Sequence, residues 1–115
     1  MQEAGQTDAV FAALSNPERR RILDLLKGGD RPAGDLVAEF PGMPQPAVSR
    51  HLRVLREAGL VTARSRARQR IYSLETTRLR EVDAWVSTYR GFWSGRPASL
   101  SDHPVGVGSR RRGTK

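Results

Sequence analysis

The side chains with most to offer chemically lie between residues 45 and 70. Val48, Leu52 and Leu55 are spaced by 4 and 3, which marks one apolar face of a helix. With that face turned inward, Gln45, Ala47, Ser49, Arg50 and Arg53 point outward. Gln can bond adenine, Arg guanine, Ser a base or a phosphate, and an alanine methyl can touch the methyl of thymine. Arg66, Arg68 and Arg70 follow in a polar stretch, and the guanidinium is the group that forks onto phosphates and guanine edges. Nothing comparable serves catalysis, since no Ser/His/Asp set, carboxylate pair, Gly-rich phosphate loop or ligand cluster is present. With no cysteine and only His51 and His103, no metal, cofactor or enzymatic activity is expected. His51, inside the helix beside Leu52, reads as a packing or phosphate-contact residue, and His103 as an inert tail residue.

Charge placement supports the same stretch. Lys and Arg number 20 against 12 acids, a net of +8, and residues 45–72 hold seven arginines and one glutamate, or +6 of that excess. Concentrated basic charge suits a polyanionic partner better than charge spread evenly. Eighteen of the 20 cations are Arg, a bias that a GC-rich genome also produces. The 115 residues make one domain, with 37% apolar residues for a modest core that leaves room for completion by a partner surface. No run approaches the roughly 18 apolar residues of a membrane span, and residues 1–10 lack the order of a signal peptide, so a cytoplasmic location is expected.

The elements that must position these residues follow from periodicity and punctuation. Val10, Phe11 and Leu14 form a short stripe that ends at Ser15-Asn16-Pro17, where Asn16 can cap a second helix and Pro17 suits its first position. That helix buries Ile22, Leu23 and Leu26 and stops at Gly28-Gly29. A third runs from Pro32 with Leu36, Val37 and Phe40 inward, closed by Pro41-Gly42. The fourth, from Gln45, is capped by Gly59-Leu60. Val61–Arg64 and Arg70–Leu74 are β-compatible runs around Ser65–Gln69, a two-stranded hairpin. From Thr77, the positions Leu79, Val82, Val86, Tyr89 and Trp93 repeat at 3, 4, 3 and 4, a coiled-coil seam with Trp85 and Phe92 beside it. These aromatics suit an interface or, alternatively, a small-molecule pocket. Residues 1–6 and the basic segment 97–115, with Arg110 to Arg112 and Lys115, are expected to be disordered.

Two helices joined by the Pro41-Gly42-Met43-Pro44 turn, with an Arg-rich hairpin beside the second, suit a winged helix-turn-helix over residues 7–96. Three segments then resemble one family. They are Leu14-Ser15-Asn16-Pro17-Glu18-Arg19-Arg20-Arg21-Ile22-Leu23, the run from Gln45 to Val61, and Arg68-Gln69-Arg70-Ile71-Tyr72-Ser73-Leu74. Their order is similar to that of the ArsR-type winged-helix repressors of bacteria. The resemblance implies a mainly α fold with a small β-hairpin, and a homodimeric repressor that binds operator DNA. It implies that Gln45, Ala47, Ser49 and Arg50 carry base recognition and that Arg68 and Arg70 lie on or beside the wing. Metal-sensing members place cysteines where this chain has Pro32 and Gly34, before Asp35-Leu36. A second family site pairs Asp and His on the last helices, and here that helix offers Glu81 and Asp83 with no His.

The resulting expectation is a regulator that binds an inverted repeat as a homodimer and blocks a promoter. Arg53, Arg66, Arg68 and Arg70 are assigned to the DNA backbone or wing. Dimerisation through the first and last helices is assigned to Val10, Phe11, Leu14, Val82, Trp85, Val86, Tyr89 and Trp93. The effector, if one exists, is unassigned. Two alternatives stand beside this reading, a basic RNA-binding winged helix and a protein-interaction module using the aromatic last helix. RNA recognition favours exposed aromatics for stacking, and residues 45–70 contain none.

Overall fold

Asn16 ends one helix and begins the next. The computed structural model describes residues 2–93, with side chains from Thr7 onward. Helices α1 (Gln2–Leu14) and α2 (Pro17–Leu26) flank Asn16, whose extended backbone (φ −105°, ψ 127°) lets Oδ1 accept from the Arg19 N–H at 3.0 Å. Pro17 sits in the first turn, where its missing N–H leaves no partner unmatched. Helix α1 begins at Gln2, so residues 2–6, expected to be loose, are helical. Gln2, Glu3, Ala4 and Gln6 are good helix formers and outweigh Gly5.

The chain then forms β1 (Arg31–Pro32), α3 (Ala33–Ala38), α4 (Gln45–Glu57), β2 (Val61–Arg66) and β3 (Gln69–Leu74). Arg31 pairs with Tyr72 and Pro32 with Ile71, so the expected two-stranded hairpin is a three-stranded antiparallel sheet of order β1-β3-β2. A two-residue strand containing proline is tolerated because it lies at an edge. Strands β2 and β3 also run further than expected and close on the two residues Ala67-Arg68 instead of a five-residue loop. Ala67 has a left-handed φ of 57° and Arg68 does not, the pattern of a II′ turn, whose first position normally holds glycine.

Helix α3 is shorter than the sequence suggested, ending at Ala38 with Leu36 buried and Val37 and Phe40 half-buried. The chain turns through Met43, whose N–H donates to the Phe40 carbonyl at 2.9 Å, into an extended Pro44. Pro44 supplies no capping side chain, but its carbonyl accepts the N–H groups of Ala47 and Val48 at 2.9 and 3.3 Å. Helix α4 closes in a Schellman motif. Gly59 takes φ 80°, its N–H reaches the Arg56 carbonyl at 3.0 Å, and the Leu60 N–H reaches Leu55 at 2.9 Å. Leu55 and Leu60 are both buried, which supplies the apolar contact of that motif.

The core gathers Val10, Ile22, Leu36, Val48, Leu55, Leu60 and Val61, one or more from each of α1 to α4 plus Leu60 and the first residue of β2. Each fully buried aliphatic side chain is worth about 1.5–3 kcal/mol. Among the described residues no polar or charged side chain is buried, so every cation remains within reach of solvent or a ligand.

The chain divides into a unit ending at Arg80 and a second beginning at Glu81. The single helix expected from Thr77 to Trp93 is instead α5 (Leu79–Ser87) followed by a 3-10 turn at Arg90–Phe92. The Ser87 hydroxyl donates to the Ala84 carbonyl at 2.7 Å and the Thr88 hydroxyl to Trp85 at 2.8 Å. Such local hydroxyl bonds compete with helix continuation. Val82 and Val86 therefore share a helix, whereas Tyr89 and Trp93 lie beyond it and the expected seam is interrupted. Among the described residues no helix is long and apolar enough to cross a membrane. His103 and the tail 97–115 lie outside the described residues.

Candidate nucleic-acid interface

Helix α4 buries Val48, Leu52 and Leu55 and exposes Gln45, Ser49, Arg50 and Arg53, with Ala47 half-buried between the two faces. Gln45, Ser49, Arg50 and Arg53 thus share the solvent-facing side of one helix, with Ala47 at its edge. Arg50 lies nearly opposite the buried row, as its position on a 3.6-residue period requires. At the other part of the candidate surface, Arg66, Arg68 and Arg70 are all exposed at the β2–β3 tip. The register divides them. Arg66 pairs with Gln69 and Arg70 with Ser65, so these two arginines project from opposite faces of the hairpin while Arg68 occupies the turn.

The arginines of this chain fall into two groups by what they touch. Arg50, Arg53 and Arg56 on α4, and Arg66, Arg68 and Arg70 at the hairpin, make no hydrogen bond or ion pair within the described residues. Most arginines outside this surface are engaged. Arg20 donates to the Leu14 carbonyl at 2.7 Å, and Arg21 meets Glu39 at 3.1 Å, a carboxylate shared with Arg31 at 3.7 Å. Arg64 crosses the sheet to Asp30 at 3.1 Å and Ser73 at 3.0 Å, which braces the base of the hairpin. Arg90 pairs with Asp83 in the second unit. Six guanidiniums without a partner among the described residues, three on α4 and three at the hairpin tip, can take phosphates without first breaking bonds to those residues.

Sequence reasoning passed over two of the residues that shape this surface. Arg56 lies one turn beyond Leu52 and joins the uncommitted group, and it was legible as another cation in the +6 segment. Arg19 was not legible. Its Nε donates to the Ala13 carbonyl at 2.8 Å and Nη2 to Ala12 at 3.2 Å, while Nη1 lies 3.3 Å from His51 Nδ1. His51 is therefore packed against α2 at the flank of α4, in keeping with the packing role weighed for it. Partial burial of the ring, and next the Arg19 charge, hold its pKa below the ordinary histidine value, with Arg50 adding to the effect and Glu18 opposing it.

The residues assigned to a dimer interface divide differently. Val10 is 0% exposed in the single chain and belongs to the core, because a residue already enclosed has no surface left for a second copy. Leu14 is half-buried, and Phe11 is exposed at 37%. In the second unit Val82 and Val86 are half-buried, while Trp85, Tyr89, Phe92 and Trp93 are 47–66% exposed. Trp85 and Tyr89 lie with ring centroids 5.2 Å apart, and Tyr89 and Phe92 6.2 Å apart. Four large aromatics exposed within one short segment exceed what an isolated surface normally carries.

No metal site is built from the positions the family would use. Pro32 ends β1 and Gly34 lies in α3, neither with a donor atom in its side chain, and α5 brings Glu81 and Asp83 without an imidazole. Among the described residues no group of three or more His, Cys, Asp or Glu side chains converges.

Comparison with known proteins agrees with this geometry. The sequence model described as "Bacterial regulatory protein, arsR family" matches residues 16–63, from the cap of α2 to the first residues of β2. The transcriptional repressor SdpR of Bacillus subtilis is 41% identical over 80 residues, covering 70% of this chain and 88% of that protein. The HTH-type transcriptional regulator NmtR of Mycobacterium tuberculosis is 43% identical over 81 residues, covering 70% and 67% of the two chains. A crystal structure of an ArsR family transcriptional regulator superposes with a TM-score of 0.71 at 27% identity, covering 81% of this chain and 95% of the other. The chain belongs to the arsR family of bacterial regulatory proteins and is a DNA-binding transcription regulator.

Proposed function

We propose that the protein represses transcription as a homodimer that occupies an inverted-repeat operator overlapping a promoter and so excludes the polymerase. The observation that carries this reading is the group of six uncommitted arginines on α4 and the hairpin, beside outward Gln45 and Ser49. Gln45, Ala47, Ser49 and Arg50 read base edges in the major groove, and Arg53, Arg66, Arg68 and Arg70 contact the backbone or a flanking groove. A second copy covers Phe11 and Leu14 of α1 and, in the second unit, Val82, Trp85, Val86, Tyr89 and Trp93. Residues 7–96 form the DNA-binding and dimerisation domain, acting in the cytoplasm without metal or other cofactor. The similar proteins named as a repressor and a regulator support this reading.

An RNA-binding alternative has less support. Residues 45–70 lack aromatics, and Tyr72 beside them on β3 is buried, so the basic face has no stacking platform. Selection from a random-sequence duplex pool by the purified protein tests the proposal. The expected product is an inverted repeat with half-sites one helical turn apart, roughly 10 base pairs centre to centre. A pool without an enriched palindrome, or preferential capture of single-stranded RNA, refutes it.

A further inference from the structure

We propose that Arg19 is a positioning residue for DNA recognition, tying the C-terminal carbonyls of α1 to the recognition helix through His51, and that the tie holds only while His51 is neutral. This rests on the reading of α4 as the helix that enters the groove. The guanidinium is planar, and three of its donors are directed at separate acceptors. Nε and Nη2 reach the Ala13 and Ala12 carbonyls of α1, and Nη1 reaches His51 Nδ1 on α4, 32 residues away in sequence. The two carbonyls belong to the last turn of α1, where no i+4 amide follows within the helix, and the Ala12 carbonyl also accepts from the Ser15 N–H at 3.2 Å and the Ser15 hydroxyl at 2.7 Å. A second cation, Arg20, caps Leu14 beside them. One rigid side chain on α2 therefore fixes the end of α1 and the flank of α4 together.

The tautomer follows from donor and acceptor inventory. Arg has five N–H donors and no acceptor, so a hydrogen bond between the two groups requires a lone pair on Nδ1 and places the ring proton on Nε2. Protonating Nδ1 removes the acceptor and leaves an imidazolium 3.3 Å from a guanidinium. The charged groups acting on the ring are Arg19 and Glu18 from α2 and Arg50 from its own helix. Among the described residues, helices α1 and α3 and strand β2, which also pack on α4, contribute none. Burial and the two cations favour the neutral ring, so the tie is made near neutral pH and lost on acidification.

The consequence for function is directional. An α4 released from α1 keeps its buried row, yet the angle at which Arg50 and Ser49 meet the groove is no longer fixed on that flank. Arg19→Lys retains the charge but loses the planar fork that serves three acceptors at once. His51→Leu loses the acceptor, and His51→Gln restores one that does not titrate.

Fluorescence anisotropy of the full chain on a duplex recovered from the random pool, between pH 5.5 and 8, supplies the test, with Arg50→Ala as the control for α4 reading. Arg19→Lys and His51→Leu are expected to weaken operator binding by roughly 3- to 30-fold at pH 7.5 while the circular dichroism spectrum is unchanged. His51→Gln should recover part of that loss, and wild-type affinity should fall relative to it as pH drops to 5.5. Nitrogen-15 spectra of the imidazole in the free protein should show Nε2 protonated and Nδ1 bare at pH 7.5. A ring with the proton on Nδ1 overturns the proposal without reference to DNA. Wild-type affinity that rises on acidification relative to His51→Gln also overturns it, because the imidazolium would then be a phosphate contact. If Arg50→Ala leaves operator preference intact, the reading of α4 fails instead.

Discussion

Arg50 and Arg68 are both exposed and both without a hydrogen-bond or ion-pair partner among the described residues, yet they should leave opposite thermodynamic traces. Because neither side chain bonds to the described residues, truncating it should leave thermal stability unchanged and act on the complex alone. A bidentate contact from Arg to guanine is worth about 1–3 kcal/mol, and a dimer makes it twice, so Arg50→Ala should cost about 2–6 kcal/mol on the operator. That loss is at least about 30-fold in affinity. Binding to scrambled duplex should change little, since no phosphate contact is lost. Arg68 at the hairpin turn should instead act through the backbone. Each phosphate contact contributes about 0.9 to the slope of log affinity against log salt, and the loss of two lowers it by about 1.8. Between 50 and 200 mM salt the deficit of Arg68→Ala should therefore shrink about 12-fold, on operator and scrambled DNA alike. Anisotropy titrations of both variants on both duplexes at four salt concentrations measure these quantities. The reasoning is refuted if Arg50→Ala weakens both duplexes equally while Arg68→Ala alters only the preferred sequence.

The register of the hairpin places Arg66 and Arg70 on opposite faces, so Arg66→Ala and Arg70→Ala should lower the salt slope by unequal amounts, and equal effects would contradict that pairing. In Gly59→Ala a Cβ would meet the Arg78 side chain at 3.2 Å with φ fixed at 80°, a cost of about 1–2 kcal/mol of folding stability by urea denaturation. Ala67→Gly should move stability the other way, by up to about 1 kcal/mol, because Ala67 holds φ 57° at a glycine position. Zinc, cadmium and nickel titrated to micromolar concentration into the DNA complex should not release it, since Pro32 and Gly34 offer no ligand, and stoichiometric release by any of them would reveal a site elsewhere. Replacing Tyr89 and Trp93 together with Glu should give monomers with weakened DNA binding in sedimentation. A variant that remains dimeric at micromolar concentration moves the interface away from these aromatics.

What the sequence made legible was mostly local. Asn16-Pro17 and Gly59-Leu60 set helix ends through bonds that span no more than five residues, so their residue types suffice to place them. Strand β1 escaped because its existence depends on Tyr72 and Ile71, about forty residues away, and two residues with a proline carry no period of their own. The last helix ends sooner than its apolar spacing implies, for the opposite reason. Its apolar spacing continues past residue 87, but the pattern records which side chains are apolar and says nothing of Ser87 and Thr88 turning their hydroxyls onto carbonyls three residues back. Val10 shows the same limit, since a residue on an apolar stripe can face its own core or a second copy, and only the fold decides.

The arginines carry this furthest. Eighteen of them are chemically alike, and the sequence separates them only by where they cluster. The fold separates them by whether an acceptor lies within reach. Arg64 stands within the same basic stretch as Arg66, but Asp30 and Ser73 engage it, so it braces the hairpin that presents its neighbours. Arg19 stands well outside that stretch, yet through His51 it touches the helix that carries Arg50. Local charge density thus picks out a stretch of the chain but does not distinguish the arginines left without a partner among the described residues from those that hold segments together. That distinction depends on pairings such as Arg19 with His51 and Arg64 with Asp30, which form only when distant segments fold together.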